Sequence, residues 1–278
     1  MNALEIKNLT KRYNGFALDD LTLTLPEGCI MGLIGENGAG KSTTIKLILD
    51  MIQRDSGSIS ILGSENVQLK KEDFGVVLDE VGLPACLNAK QINKIMRLAY
   101  KNWDETTFFA YVKKLDLPEN KPFKDFSRGM KMKMGIAIAL SHKAKLLILD
   151  EATNGLDPVA RDEVVEELFE FTRDEHHAIL ISSHIVSDLE RLCDYIAFLH
   201  KGKLMLCEEK DVLRSEYGIV RCTTDELDTI APEAVIGKRI SPYGAEAIVK
   251  RSAVPEGTAL GPVSIEELFV FMVRGEKE

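Results

Sequence analysis

Apolar and polar residues alternate through ALEIKNL (3–9) and LTLTL (21–25), the period-two pattern of strands with one buried face. The run CIMGLI from Cys29 to Ile34 has no such alternation and predicts a strand buried on both sides, as do Leu146 to Leu149 and AILIS from Ala178 to Ser182. The turn RDSGS leads into a further strand, SISIL (58–62), which returns to the sheet of the first two. YIAFLHKGKLMLC reads as a hairpin turning at Lys201-Gly202. Between Pro84 and about Lys124 the spacing becomes helical, with Ile92, Ile95, Met96 and Ala99 on one stripe and Phe108, Tyr111, Val112 and Leu115 on another. This segment, continued by GMKMKMGIAIALSHK, predicts an inserted helical arm over about 84–141. Asp157-Pro158 is a helix start, and Ser187 with Glu190 has capping-box spacing.

Beyond Glu208 the composition shifts. GIVRCTT and AEAIVKR are strand-like, prolines separate them, and SIEELFVFMVRG closes the chain as a helix with Ser264 and Glu267 at capping-box spacing. The expected organisation is an α/β body over 1–208 and a small α+β appendage over 209–278.

The strand-like run at Ile34 opens into GENGAGKST, which fits G-x-x-x-x-G-K-[ST] in the strand, loop, helix context that the pattern requires. Gly35, Gly38 and Gly40 let backbone N–H groups turn inward toward phosphate oxygens, beside the positive end of a helix beginning near Lys41. Glu36, Asn37 and Ala39 complete the loop. Lys41 reaches the β- and γ-phosphates, Thr43 the α- or β-phosphate, and Ser42 offers a hydroxyl to Mg²⁺. The strand at Leu149 ends in Asp150-Glu151, two acids at the carboxyl end of a core strand. Asp150 suits a metal's water shell and Glu151 the water attacking the γ-phosphorus. His184 ends the next strand beside two serines; His142, His176, His177 and His200 read as uninvolved. ATP and Mg²⁺ are the expected ligands.

From about Leu4 to Gly202 the chain resembles the nucleotide-binding subunit of ATP-binding-cassette transporters, with the motifs in the family's order. The resemblance implies an α/β P-loop NTPase cassette with a mixed core sheet, an antiparallel β-subdomain and a helical arm. It makes Tyr13 the aromatic that stacks on adenine and His184 the switch histidine at the γ-phosphate. It places Asp157, in NGLDP, on the loop crossing a cassette dimer. Ser127, Arg128 and Gly129 then belong to the signature that completes the ATP site of the opposite subunit. Two departures stand out: the family's LSGGQ reads Phe126-Ser127-Arg128-Gly129-Met130, and its metal-coordinating glutamine is replaced by Asp79, with Glu80 the alternative. Carboxylates there are familiar in the exporter branch serving drugs, bacteriocins and antimicrobial peptides. The implied activity is ATP hydrolysis coupled to export through a separate transmembrane subunit, by a homo- or heterodimer of cassettes. A non-transport cassette acting on ribosomes or DNA is the alternative; the paired cassettes or long coiled coil usual there are missing from this sequence.

Composition agrees. The chain has 278 residues, 45% of them hydrophobic, enough for one large core and an appendage. No apolar run reaches the ~18 residues needed to span a bilayer, and MNALEIKNLTKRY lacks a signal-peptide core. Five scattered cysteines read as reduced thiols, so the expected place is the cytoplasm, peripheral on the membrane through the partner subunit. A net charge of -9 argues against a nucleic-acid partner. Apolar Val81, Leu83, Pro84 and Leu87 follow Asp79 in a loop that would more often be polar; they are covered either by the arm or by the membrane subunit.

Overall fold

The computed structural model describes residues 1–65, 71–255 and 257–275, so that position 256 and positions 276–278 of the predicted appendage lie outside the described residues. Along the chain the elements are β1 (Asn2–Tyr13), β2 (Phe16–Pro26), β3 (Ile30–Ile34), α1 (Lys41–Ile48), β4 (Ser56–Ile61), β5 (Ser64–Glu65) and β6 (Phe74–Val77). The arm follows as α2 (Ala89–Ala99), α3 (Glu105–Lys114) and α4 (Arg128–Leu140). Then come β7 (Leu146–Asp150), α5 (Pro158–Phe171), β8 (Ala178–Ser183), α6 (Val186–Leu192), β9 (Tyr195–His200) and β10 (Lys203–Glu209). The C-terminal part holds α7 (Lys210–Glu216), β11 (Tyr217–Cys222), α8 (Thr224–Leu227), β12 (Val235–Ser241), β13 (Gly244–Lys250) and α9 (Ile265–Arg274).

The central sheet has the order β10-β9-β3-β8-β7-β6, with every neighbouring pair parallel except the β9/β10 hairpin. β3, β7 and β8 are buried at every position, which is why they read as unbroken apolar runs. β3 lies between β8 and β9, so the loop after Ile34 leaves from the middle of the sheet, where loops at strand carboxyl ends form ligand crevices. One face of this sheet packs on the antiparallel sheet β2-β1-β4-β5 through Leu4, Leu21, Met31, Leu33 and Ile148. The other packs on α4, α5 and α6 through Met132, Val164, Leu168 and Leu189. The arm has its own centre in Ile92, Phe108, Val112, Leu115 and Met134.

The hairpin turns at Lys201-Gly202, both with positive φ. Ser264 and Glu267 form their capping box, whereas Ser187 and Glu190 do not. β8 ends at Ser183 and the helix starts only three residues later, leaving Ser187 inside the first turn; Glu190 instead pairs with Arg214 at 3.0 Å. On α2 only part of the predicted stripe is inward: Ile92 is buried, but Ile95 and Ala99 face solvent. α7 and β12 had no clear periodicity to announce them.

The end of the chain is less separate than its composition suggests. Leu268, Phe269 and Phe271 of α9 share the core that contains Ile196 and Phe198, and the Phe198 and Phe269 rings lie 5.2 Å apart. Among the described residues, a small separate cluster joins Val220, Ala247 and Val249 of the three-stranded sheet β11-β13-β12 to Leu227 of α8. All five cysteines are free thiols. Burial raises the pKa of Cys193 and lifts that of Cys207 to about 11, keeping both protonated and unreactive.

Candidate active site

β3 delivers the glycine loop, and two positions show why glycine is needed. A Cβ at Gly35 would lie 2.5 Å from the Leu199 carbonyl oxygen and 2.9 Å from Ala39 Cβ. Gly40, which caps α1, has φ 114°, and a Cβ there would press on the Phe16 ring at 3.1 Å. The loop is braced from outside by the hairpin, because Gly202 N–H donates to the Ala39 carbonyl at 2.9 Å. Lys41 is buried, 6% exposed, and its ammonium donates to the Gly35 carbonyl at 2.7 Å. Ser42 and Thr43 follow on the first turn of α1 and line the cavity in front of it.

Asp150 and Glu151 stand at the end of β7, beside the loop. Asp150 is buried and accepts a hydrogen bond from the Ser182 hydroxyl at 2.5 Å. Glu151 takes a left-handed φ of 54°, a conformation costing a non-glycine residue roughly 1–2 kcal/mol. Its N–H is held by Ser182, at 3.1 Å to the carbonyl and 3.2 Å to the hydroxyl. That bend aims the carboxylate between two cationic or proton-bearing groups. Oε1 is 3.4 Å from the Lys41 ammonium, and Oε2 is 2.7 Å from His184 Nδ1. Lys41 at the start of α1, Glu151 after β7 and His184 after β8 therefore converge, and a carboxylate held this way can accept a proton or orient a water.

A cavity of about 660 Å³ opens over the loop, large enough for a nucleotide. Glu36, Asn37, Gly38, Gly40, Lys41, Ser42, Thr43, Asp79, Arg128, Glu151 and His184 line it. Gly35 and Ala39 lie beneath the loop surface, and Asp150 sits behind Glu151. Two residues that sequence reasoning passed over also line the cavity: Phe16 and Asn154. Tyr13, the expected adenine platform, is outside the lining; it is 46% exposed, with its ring 6.4 Å from that of Phe16. Both aromatics flank the tight β1/β2 turn, and only the one on β2 leans over the loop. Phe16→Ala is therefore expected to raise the ATP Kd roughly 5- to 30-fold, a loss of about 1–2 kcal/mol of ring contact, with a smaller change for Tyr13→Ala. Titration with a fluorescent ATP analogue checks this; a larger loss for Tyr13→Ala puts the base on the tyrosine.

Ser127, Gly129 and Asp157 lie outside the chain's own cavity. Ser127 caps α4, accepting from Met130 N–H at 3.2 Å, and Asp157 caps α5, accepting from Ala160 N–H at 3.0 Å. Those backbone hydrogen bonds hold the Asp157 carboxyl below its ordinary pKa. A Cβ at Gly129 would lie 3.3 Å from Leu156, so the two capped helix starts share one surface. Arg128 turns the other way, and its guanidinium meets Asp79 at 2.6 Å. A second long-range pair reaches the loop itself: Arg274 at the end of α9 is 2.9 Å from Glu36, and this hydrogen bond lowers the Glu36 pKa.

Residues 18–154 match the profile of the family described as ABC transporter. The chain is 39% identical over 211 residues to the lantibiotic transport ATP-binding protein SrtF of Streptococcus pyogenes, covering 75% of this chain and 91% of that one. The chain belongs to the ABC transporter family. It is an ATP-binding subunit of that family, and an ATPase. The bacitracin transport ATP-binding protein BcrA of Bacillus licheniformis is 38% identical to this ABC subunit, over 73% of this chain and 68% of that protein. Among solved structures, the ATP-binding subunit of an ABC transporter superposes with a TM-score of 0.70 at 30% identity, covering 76% of this chain and 92% of the other. A dimeric cassette, MJ0796, superposes with a TM-score of 0.67 over 74% of this chain and 98% of that one, at 20% identity, a likeness of fold. Among the described residues, no helix of the ABC subunit is long and apolar enough to cross a membrane.

Proposed function

We propose that this subunit drives export of an antimicrobial-peptide-like cargo through a separate membrane protein, working as a dimer of cassettes peripheral to the cytoplasmic face of the membrane. The observation that carries the chemistry is the placement of the Glu151 carboxylate between Lys41 and His184 at the mouth of the glycine loop. In this reading the loop N–H groups and Lys41 hold the phosphates, Glu151 orients and deprotonates the attacking water, and His184 holds Glu151 and faces the γ-phosphate. Ser127, Gly129 and Asp157 stand on the surface that meets the second cassette's nucleotide. Names of relatives that transport lantibiotics and bacitracin support the cargo class.

The donor set fits Mg²⁺: the Ser42 hydroxyl lines the cavity and would ligate the ion, while the buried Asp150 carboxylate behind Glu151 would hold it through its water shell, both of them oxygen donors as a hard cation requires. Asp79 belongs to that set only when Arg128 releases it. The metal's contribution is to neutralise phosphate charge. We also take residues 1–208 as the cassette and 209–278 as an accessory part, the junction falling where β10 passes into α7.

The loop after Asp79 is the proposed contact with the membrane protein. Val81, Leu83 and Leu87 all pack against the arm's core, so the arm covers part of this apolar run. Leu83 also borders an open groove of about 600 Å³ with Glu80, Phe123 and Lys131. Leu83→Asp is expected to abolish co-purification with the membrane subunit in mild detergent while basal ATP hydrolysis stays within twofold. An intact complex, with mass spectrometry identifying the same membrane chain, removes the docking assignment.

A further inference from the structure

We propose that the solvent face of α2 is a lipid contact, a basic surface with an apolar centre that lies on anionic phospholipid headgroups. The proposal rests on the reading of this subunit as peripheral to a membrane. Charge is the first observation. Residues 84–141 hold eleven Lys and Arg against five Asp and Glu, a net charge of +6 in a chain whose total is -9. The rest of the chain is therefore strongly acidic and is repelled by an anionic surface, so such a surface meets the protein favourably at the arm.

α2 gathers this charge on one side. It buries Ala89, Ile92 and Asn93, and on the opposite side Lys90, Lys94, Leu98 and Lys101 recur at i, i+4, i+8 and i+11, one exposed stripe along the helix and just past its end. Lys90 and the neighbouring Arg97 pair with Glu119 and Glu105 at 3.5 and 3.1 Å, exposed contacts that a competing anion readily replaces. Among the described residues, Lys94 and Lys101 have no such partner. Leu98, in the middle of the stripe, is 91% exposed, and Ile95 beside it 43%. Lysines around an exposed leucine suit a bilayer interface: the leucine enters the acyl boundary, the ammonium groups stay at the phosphates, and the aliphatic stems cover the step between them. A nucleic acid or a free phosphate would satisfy the lysines and leave Leu98 in water. The basic surface continues past the start of α2, where Phe123 N–H donates to the Leu87 carbonyl at 2.7 Å and Lys124 N–H to the Ala85 carbonyl at 2.9 Å. Lys124 also lines the groove that Leu83 borders, so the face runs into the proposed contact with the membrane protein, on the side nearest the bilayer.

The test is flotation of the full chain with vesicles of phosphatidylcholine alone or with about 30% phosphatidylglycerol, at about 50 and about 300 mM salt. Partition onto the anionic vesicles is expected to exceed that onto neutral ones at least ~10-fold at low salt, and to fall at high salt. Lys94→Gln with Lys101→Gln is expected to lower it ~25-fold, about fivefold for each charge removed. Lys7→Gln with Lys203→Gln, which removes two exposed lysines on β1 and β10, is expected to change it about twofold or less. Leu98→Ser is expected to lower it roughly three- to tenfold at both salt concentrations. Basal ATP hydrolysis and the melting temperature stay at wild-type values in every variant. Leu98→Trp reports position: its fluorescence is quenched by phosphatidylglycerol brominated on the acyl chains, whereas that of wild type, whose Trp103 is tied to Asn93 at 2.8 Å, is not. Equal partition onto the two vesicle types, equal losses for the two lysine pairs, or an unquenched Leu98→Trp overturns the lipid contact. So does release of the membrane subunit by Lys94→Gln with Lys101→Gln in lipid-free detergent, which puts acidic protein on this face. Vesicle binding by a chain with which no membrane subunit co-purifies overturns the transport reading instead and leaves the lipid contact standing.

Discussion

Glu151→Gln is expected to bind ATP with near wild-type affinity, release phosphate at least ~100-fold more slowly, and accumulate as an ATP-bound dimer. A hundredfold is about 2.7 kcal/mol of lost transition-state stabilisation. The structure makes the substitution informative because Glu151 is so closely placed. Its backbone is bent into the left-handed region and tied by its N–H to Ser182, and its two oxygens face Lys41 and His184. An amide of the same shape keeps a hydrogen bond to His184, so the side chain stays where it is; what it loses is the negative charge and the ability to take a proton. Binding is spared because phosphate contacts come from the loop and Lys41 rather than from a carboxylate, whose charge opposes them. Gel filtration with ATP and Mg²⁺ and a phosphate-release assay check the outcome. A monomeric variant with near-normal turnover would sink the role given to Glu151.

The parts of this site that were legible in the sequence are those whose residues follow one another. The glycine loop, Asp150-Glu151 and the serines before His184 each occupy one strand end, so a pattern of a few residues carries both the fold signal and the chemistry. The strands that bear them are buried on both faces and were readable as apolar runs. The contacts that tune the site were not legible. Asp79 and Arg128 were each visible as a departure from the family pattern, yet nothing local indicates that they meet. Arg274 lies 238 positions from Glu36, and the packing of α9 on β12, α6 and Phe198 brings its side chain to the loop. For the same reason the appendage looked independent: its composition differs from that of the cassette, but α9 packs on α6 as well as on its own β12, and its Leu268, Phe269 and Phe271 share a core with Ile196 and Phe198 of β9. Phe16 lines the cavity without belonging to any motif, whereas Tyr13 matches the family's aromatic position; which of two residues flanking a turn leans inward depends on the strand's face. Capping at Ser187 failed for a related reason, since the start of α6 is dictated by where β8 ends.

Lys41→Ala is expected to weaken ATP binding at least ~100-fold, again about 2.7 kcal/mol, and ADP binding by clearly less. The ammonium is 6% exposed and makes two kinds of contact, a hydrogen bond to the Gly35 carbonyl and an ion pair with Glu151. Each suggests a different consequence of removing it. If the main role of the lysine is to meet phosphate charge, the loss grows with the number of phosphates, because charge-assisted hydrogen bonds of roughly 1.5–3 kcal/mol are forfeited where the γ-phosphate would lie. If its main role is to staple the loop through Gly35, the loop loosens for every ligand, and ATP and ADP suffer alike. The remaining packing argues for the first. Gly35 is wedged against Leu199 and Ala39, Ala39 is held by Gly202, and Thr44 caps back to Gly40 at 3.0 Å, so the loop keeps its supports without the lysine. Removing Lys41 also leaves Glu151 facing the incoming phosphates with only His184 to offset its charge, which adds to the penalty for ATP. Titration of both nucleotides, with the melting temperature of the unliganded variant as a control, separates the two. Equal losses for ATP and ADP, with a melting temperature several degrees lower, assign the lysine to the loop's architecture.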